Sequence, residues 1–181
     1  QYGGSSITLT HLAPFVRDSY NLYLEKYKNR GFNEELSVKY AKEDTKKEIA
    51  DSIQTLNYQI NSLMTTNGQT PFLTIFLYLN ETKEYKEELA ALIEEMLNQR
   101  ILGMKNRQGV YVTVAFPKLI YCLEEDNIKE GTKYWYLTEL AAKCSAKRLV
   151  PDYISEKVMK QLKVDSNGNG HCFPSMGQCK L

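Results

Sequence analysis

The run Phe72-Leu73-Thr74-Ile75-Phe76-Leu77-Tyr78-Leu79 constrains the fold of this chain more than any other feature. It is rich in aromatic and branched residues, follows Thr70-Pro71, and reads as a buried strand. A second strand region is expected over Val110–Leu123, opened by Gly109, with Pro117 marking a bend or strand start within it. Helical periodicity surrounds both runs. Leu12, Phe15, Val16, Tyr20, Tyr23, Leu24 and Tyr27 recur at three- and four-residue steps and predict a helix from Leu12 to Lys28. Gly31 is a sensible stop, and Asn33 followed by Glu34 and Glu35 reads as the cap of the next helix.

That next helix is expected from about Glu34 to about Met64. Its Ile49, Ile53, Leu56, Ile60 and Leu63 form one apolar seam, which wants a partner in the preceding helix or in a second subunit. The charges of its first half, Lys39 to Glu48, read as a solvated face with intrahelical ion pairs. Further helices are expected over Glu84–Leu102 and Tyr134–Arg148, and a short extended or helical stretch runs from Pro151-Asp152 to Leu162. Gly3-Gly4-Ser5-Ser6 and Asn67-Gly68 read as turns. Strands alternating with helices point to α/β architecture with at least partly parallel strands.

Charge and cysteine usage narrow the function classes. The 23 basic and 22 acidic residues leave a net charge of +1, which argues against a nucleic-acid binder held by broad positive potential. No apolar run reaches transmembrane length. Cys122 sits in a strand-like run and Cys144 in a helical one, so both read as buried thiols, and a reducing cytoplasmic compartment fits. The sequon Asn80-Glu81-Thr82 matters only in a secreted protein. Gln1-Tyr2-Gly3-Gly4 and Cys179-Lys180-Leu181 both look like the middle of a protein, so an internal piece of a longer chain is expected.

General motifs give little chemistry. Asp165-Ser166-Asn167-Gly168-Asn169-Gly170 resembles the start of a calcium-binding loop, but Met176 stands where a bidentate glutamate is required, so a glycine-rich turn is expected. His171, Cys172 and Cys179 match no zinc spacing, and no metal site is expected in the chain. There is no P-loop, dinucleotide fingerprint or nucleophile elbow, and only His11 and His171 are available for a histidine-based triad.

Four ordered groups of segments nevertheless resemble the large subunit of anaerobic (class III) ribonucleotide reductases. The first is Gln1-Tyr2-Gly3-Gly4 with Leu12-Ala13-Pro14-Phe15-Val16. The second is Asn67-Gly68-Gln69-Thr70-Pro71-Phe72, preceded by Ile60-Asn61-Ser62-Leu63. Third come Asn98-Gln99-Arg100-Ile101-Leu102-Gly103 and Phe116-Pro117-Lys118-Leu119-Ile120. The fourth runs from Leu140 to Arg148 into Pro151-Asp152-Tyr153-Ile154-Ser155 and ends in Pro174-Ser175-Met176-Gly177. Together they span essentially the whole chain.

The resemblance implies a part of the ten-stranded α/β barrel of the glycyl-radical enzymes, with a long-helix N-terminal portion. It divides the chain into a helical portion, 1–66, and a barrel portion, 67–181, ending in an active-site finger loop. In this family a cysteine in a Met-Gly-Cys context carries a thiyl radical that takes hydrogen from the ribose 3′ carbon of a ribonucleoside triphosphate. Here Met176-Gly177 is followed by Gln178, and the cysteine comes one residue later, so Cys179 is the implied catalytic residue and Cys172 the fallback. The resemblance further implies a homodimer with dNTP and ATP effectors, for which Gln1, Lys26 and Lys28 are the implied contacts. It implies no cofactor within these residues. The glycyl radical, installed by an activating enzyme that uses S-adenosylmethionine and an iron–sulfur cluster, and a structural zinc would lie elsewhere in the parent enzyme. The isolated chain is expected to be inactive. Two other readings remain: a non-catalytic dimerisation and nucleotide-sensing module, and a different glycyl-radical enzyme. Gln69-Thr70-Pro71-Phe72 and Pro151-Asp152 disfavour the latter.

Overall fold

The computed structural model describes residues 5–64, 68 and 72–173. Among these, strands β1 (Ser5–Thr8), β2 (Leu73–Leu77), β5 (Lys118–Leu123) and β6 (Asp152–Ser155) form one sheet in the order β1-β2-β5-β6. Every pairing in it is parallel, with Ile75 opposite both Ile7 and Leu119, and Tyr121 opposite Tyr153. Strands β3 (Met104–Lys105) and β4 (Tyr111–Val112) make a separate antiparallel ribbon. The helices are α1 (Ala13–Asn29), α2 (Glu34–Ser62), α3 (Lys86–Leu102), α4 (Trp135–Arg148) and α5 (Glu156–Leu162). The α/β expectation therefore holds, with consecutive sheet strands lying side by side and helices bridging them, as parallel pairing requires.

The two faces of the sheet carry different cores. Ile75, Leu77, Leu119 and Tyr121 point to one face, where they meet Ala13 of α1, Ile49 and Ile53 of α2, Leu89 and Ile93 of α3, and Leu137 and Cys144 of α4. Phe76, Tyr78, Ile120 and Cys122 point to the other face and pack with Ile154 and Cys172. This period-two alternation explains why the run from Ile75 to Leu79 is apolar without interruption: both faces are covered.

Helix α2 begins where the cap predicts, with the Asn33 side chain accepting from the Leu36 N–H at 2.8 Å. Its seam packs on α1 and α3 within the chain. Ile49, Ile53 and Ile60 are buried, but Leu63 lies just past the helix end and is 59% exposed, so the seam is shorter than its spacing predicts. Phe15, expected on the apolar face of α1, is also exposed, and Ala13 is the α1 residue buried in the core.

One local reading changes and another is made more specific. Ser5–Thr8, read in part as a turn, is a strand held at the sheet edge by parallel pairing with β2, and the Ser5 N–H donates to the Phe72 carbonyl at 2.9 Å. The region Val110–Leu123 holds two strands, the second starting directly after Pro117, where a bend or strand start is expected. Tyr111–Val112 serves the ribbon, and the chain enters the sheet only after the cis Phe116-Pro117 bond. Between the two, Arg100 reaches from α3, nearly fully buried, and its guanidinium donates to the carbonyls of Val114 and Pro117. Those bonds satisfy the backbone of a segment that has no strand partner.

Candidate functional site at the strand carboxyl ends

Parallel strands place all their carboxyl ends on one edge, and such edges are where open α/β sheets bind ligands. Here that edge receives Thr8 from β1, Tyr78 and Asn80 from beyond β2, Glu124 from beyond β5 and Glu156 from beyond β6.

Glu124 is the first residue past β5 and is 2% exposed. The chain leaving β2 turns sharply at Leu79–Glu81, and this turn aims two backbone N–H groups at the Glu124 carboxylate, from Leu79 at 2.9 Å and Asn80 at 2.6 Å. Burial pushes the Glu124 carboxyl up to about 7, against the opposing pull of those two N–H groups. Asn127 locks the corner. Its side-chain oxygen accepts from the Glu124 N–H at 2.8 Å, and its amide donates to the Cys122 carbonyl at 3.0 Å.

Glu156 opens α5 and is also buried. It accepts from the Tyr78 hydroxyl at 2.6 Å, from the Asn80 amide at 3.0 Å and from Lys160 at 2.6 Å. Burial works against its charge, but these three bonds outweigh it and hold its carboxyl below the ordinary value. The Tyr78 phenol moves the other way, pushed up by burial and then by its bond to Glu156. Asn80 links the two carboxylates through its backbone and side chain, and its oxygen also accepts from Lys86, which pairs with Asp126. On β1, Thr8 donates to Glu81 at 2.6 Å. The edge thus holds a connected set of polar groups able to orient a polar ligand and to keep a proton.

Cys122 and Cys172 lie beneath this edge, with their Sγ atoms 3.6 Å apart. Cys172, the fallback cysteine, therefore reaches the strand-end region. Cys179 and Gln1 lie outside the described residues, as do Met176 and Gly177. Lys26 and Lys28, near the end of α1, have different surroundings. Lys26 lines a groove of about 780 Å³ between α1 and α2, pairs with Asp44 at 3.8 Å and lies over the rings of Tyr23 and Tyr27. Lys28 pairs with Glu34 at 2.9 Å. Lys47 joins Lys26 in the groove, but so do Asp44, Glu48 and Asp51.

The Asp165–Gly170 turn takes the expected bland form. The Asp165 carboxylate accepts from the Asn167 and Asn169 N–H groups and meets His171 at 2.9 Å, and the His171 bond leads in holding its carboxyl well below the usual range. Among the described residues no group of three or more His, Cys, Asp or Glu side chains is placed to hold a metal ion. Among them, too, no helix is long and apolar enough to cross a membrane.

All of residues 1–181 match the family described as anaerobic ribonucleoside-triphosphate reductase. The chain belongs to that family. The reductase of this name from Escherichia coli (strain K12) is 37% identical over 168 residues, covering 88% of this chain and 22% of the relative. That from Salmonella typhimurium is 36% identical with the same coverage. The enzyme of bacteriophage T4 is 32% identical over 165 residues, covering 90% of this chain and 26% of its own length. The chain therefore spans about a fifth to a quarter of the curated relatives it matches.

Membership of this reductase family gives the strand-end cluster its interest. No sequence motif marks Glu124, Glu156 or Tyr78 as a site residue, and Asn80 stands out only in the sequon Asn80-Glu81-Thr82. A positional signal was present: Tyr78, Glu124 and Glu156 each stand at the first residue after a strand.

Proposed function

We propose that this chain forms part of the catalytic barrel of an enzyme that reduces ribonucleoside triphosphates to deoxyribonucleoside triphosphates by radical chemistry. The observation that carries this reading is the match to the anaerobic reductase family along all of residues 1–181. The parallel sheet with strands in sequential order is the local architecture a ten-stranded α/β barrel needs, and its carboxyl edge is where such a fold gathers reacting groups.

In this proposal the sulfur of Cys179 takes a hydrogen atom from the ribose 3′ carbon, leaving a thiol and a carbon radical. That radical function reaches Cys179 from a glycyl radical, which an S-adenosylmethionine and iron–sulfur activating enzyme installs. We assign neither the glycyl residue nor a structural zinc to these residues. The portion 67–181 supplies the chemistry, and the helices of 1–66 serve a homodimer and its dNTP or ATP effector, with Gln1, Lys26 and Lys28 on the effector side. The α1–α2 groove is also what a purely nucleotide-sensing module would use, and Lys26 is the residue that links the two readings. The compartment is cytoplasmic.

One chimera tests both portions. Residues 1–181 replace the aligned segment of the Escherichia coli relative, and anaerobic CTP reduction is measured after activation. The chimera retains reduction, Cys179→Ala abolishes it, and the Lys26→Ala/Lys28→Ala pair loses effector stimulation while keeping basal turnover. A folded chimera with no reduction overturns the catalytic reading. Effector binding unchanged in the double lysine variant overturns the lysine assignment.

A further inference from the structure

We propose that Cys122 and Cys172 form a reversible dithiol–disulfide pair, which ties the segment after α5 to strand β5 when the protein meets a disulfide oxidant. The two sulfurs are 3.6 Å apart although their residues are 50 positions apart in sequence, and neither is disulfide-bonded. Closing that gap to a bond asks for a shift of about 1.5 Å.

The approach is built by its surroundings. Cys122 is fixed on β5 with none of its surface exposed, and its carbonyl is held by Asn127. Cys172 is brought to it by a short antiparallel turn after α5. Val164 bridges Gly170, and the His171 N–H donates to the Lys163 carbonyl at 2.8 Å. Gly170 packs so tightly on α5 that a Cβ there would lie 2.3 Å from the Lys160 carbonyl oxygen. Residues on both sides of the contact are thus tied down, and Phe76, Tyr78 and Ile120 pack around the sulfurs. Cys144, buried on the opposite face among α3 and α4 residues, has a different environment and serves as an internal control.

The two thiols differ in a way that sets the order of events. Cys172 is partly exposed. Its thiol is pulled down first by the hydrogen bond from Cys122, and Lys160 adds to the effect. Cys122 is pushed up by that same bond and by burial. Cys172 is therefore the attacking thiolate and Cys122 the resolving thiol. The Cys172 thiolate attacks one sulfur of the oxidant RSSR, whose S–S bond breaks, giving a mixed disulfide and one RS⁻. Cys122 then gives its proton to that leaving thiolate, and its sulfur attacks Cys172 Sγ. The second RS⁻ leaves and takes up the proton that Cys172 released. Two protein thiols are oxidised, and one disulfide is reduced to two thiols.

This inference rests on the two sulfurs and not on the nucleotide reading, so its test needs no reductase activity. The full chain, prepared without oxygen, is exposed to oxidised glutathione, quenched with iodoacetamide in urea so that the buried thiols also react, and mapped by mass spectrometry without reduction. The expected product is a Cys122–Cys172 linked peptide pair, lost again on adding dithiothreitol, with Cys144 alkylated throughout. Cys172→Ser abolishes the link and leaves Cys122 alkylated. Cys122→Ala, checked for folding by circular dichroism, accumulates a glutathione adduct on Cys172. Gly170→Ala slows link formation by about tenfold, because the Lys160 carbonyl forces Cys172 out of position. A wild-type protein that keeps glutathione on Cys172 with Cys122 still alkylated overturns the proposal. So does one in which Cys172 pairs instead with Cys144 or Cys179.

Discussion

Replacing Glu124 with glutamine should change how stability depends on pH, by an amount that the structure sets. Glu124 is 2% exposed, and burial carries its carboxyl from an ordinary value of 4.5 up to about 7. That gap corresponds to about 3 kcal/mol of preference for the protonated form in the folded state. Because the folded value is the higher one, this stabilisation is complete below about pH 4.5 and is lost as pH rises through about 7. Glutamine is neutral throughout and lacks this dependence. It also loses one acceptor: its carbonyl can take the N–H of Leu79 or of Asn80, and its amide then faces the other donor. That cost, about 1–3 kcal/mol, does not change with pH. Glu124→Gln should therefore be the weaker protein at pH 4.5 and gain about 3 kcal/mol on wild type by pH 8. Urea unfolding across this range at fixed ionic strength, followed by fluorescence of the single tryptophan, Trp135, measures the difference directly. A gap between the two proteins that stays constant within about 0.5 kcal/mol from pH 4.5 to 8 would refute the buried-carboxyl argument.

Two further substitutions probe the same edge and the core behind it. Tyr78→Phe removes the hydroxyl that donates to Glu156 at 2.6 Å and should cost about 2 kcal/mol in urea unfolding, while raising the Glu156 carboxyl in an NMR titration. An unmoved Glu156 would show that Lys160 and Asn80 suffice to keep it ionised. Ile53→Ala in α2 should cost about 3 kcal/mol, because Ile53 is 1% exposed within the helix-face core. Leu63→Ala should cost less than about 0.5 kcal/mol, because Leu63 is 59% exposed past the helix end. Equal losses at the two sites would contradict the shortened seam.

The elements that were legible in the sequence are those whose burial is written locally. Helix α2 shows its cap at Asn33 and its period from Ile49 to Ile60, and β2 leads into the apolar run Ile75–Leu79 because both sheet faces are covered. β1 was not legible as a whole. Its Ser5 and Ser6 have no strand preference, and pairing with Leu73 and Thr74 of β2 makes them a strand. In the region from Val110 to Leu123 the break at Pro117 was legible but the strand partners were not. Local composition does not reveal that Tyr111 pairs with Lys105 in a ribbon while Lys118 pairs with Thr74 in the sheet. At the candidate site the cysteine spacing hid the contact between Cys122 and Cys172. A separation of 50 residues has no period, and only the return of the chain through α5 and the Gly170 turn closes it.

The two buried carboxyls of the strand-end cluster are pushed apart. Glu124 has amide partners, two backbone N–H groups and the Asn127 side chain, so burial prevails and its carboxyl rises to about 7. Glu156 has Lys160 four residues on in α5 and the Tyr78 phenol besides, so its partners prevail and its carboxyl falls. Asn80 touches both, through its backbone to Glu124 and its amide to Glu156, which couples the two environments without placing a charge between them. Near neutral pH Glu124 is therefore poised between its protonated and ionised forms while Glu156 stays ionised. Pairs of titratable groups driven apart in this way are how one site supplies both a proton donor and a fixed negative charge. Neither role can be read from residue type, since both residues are glutamates. The assignment follows from which of them faces a cation and which faces amides.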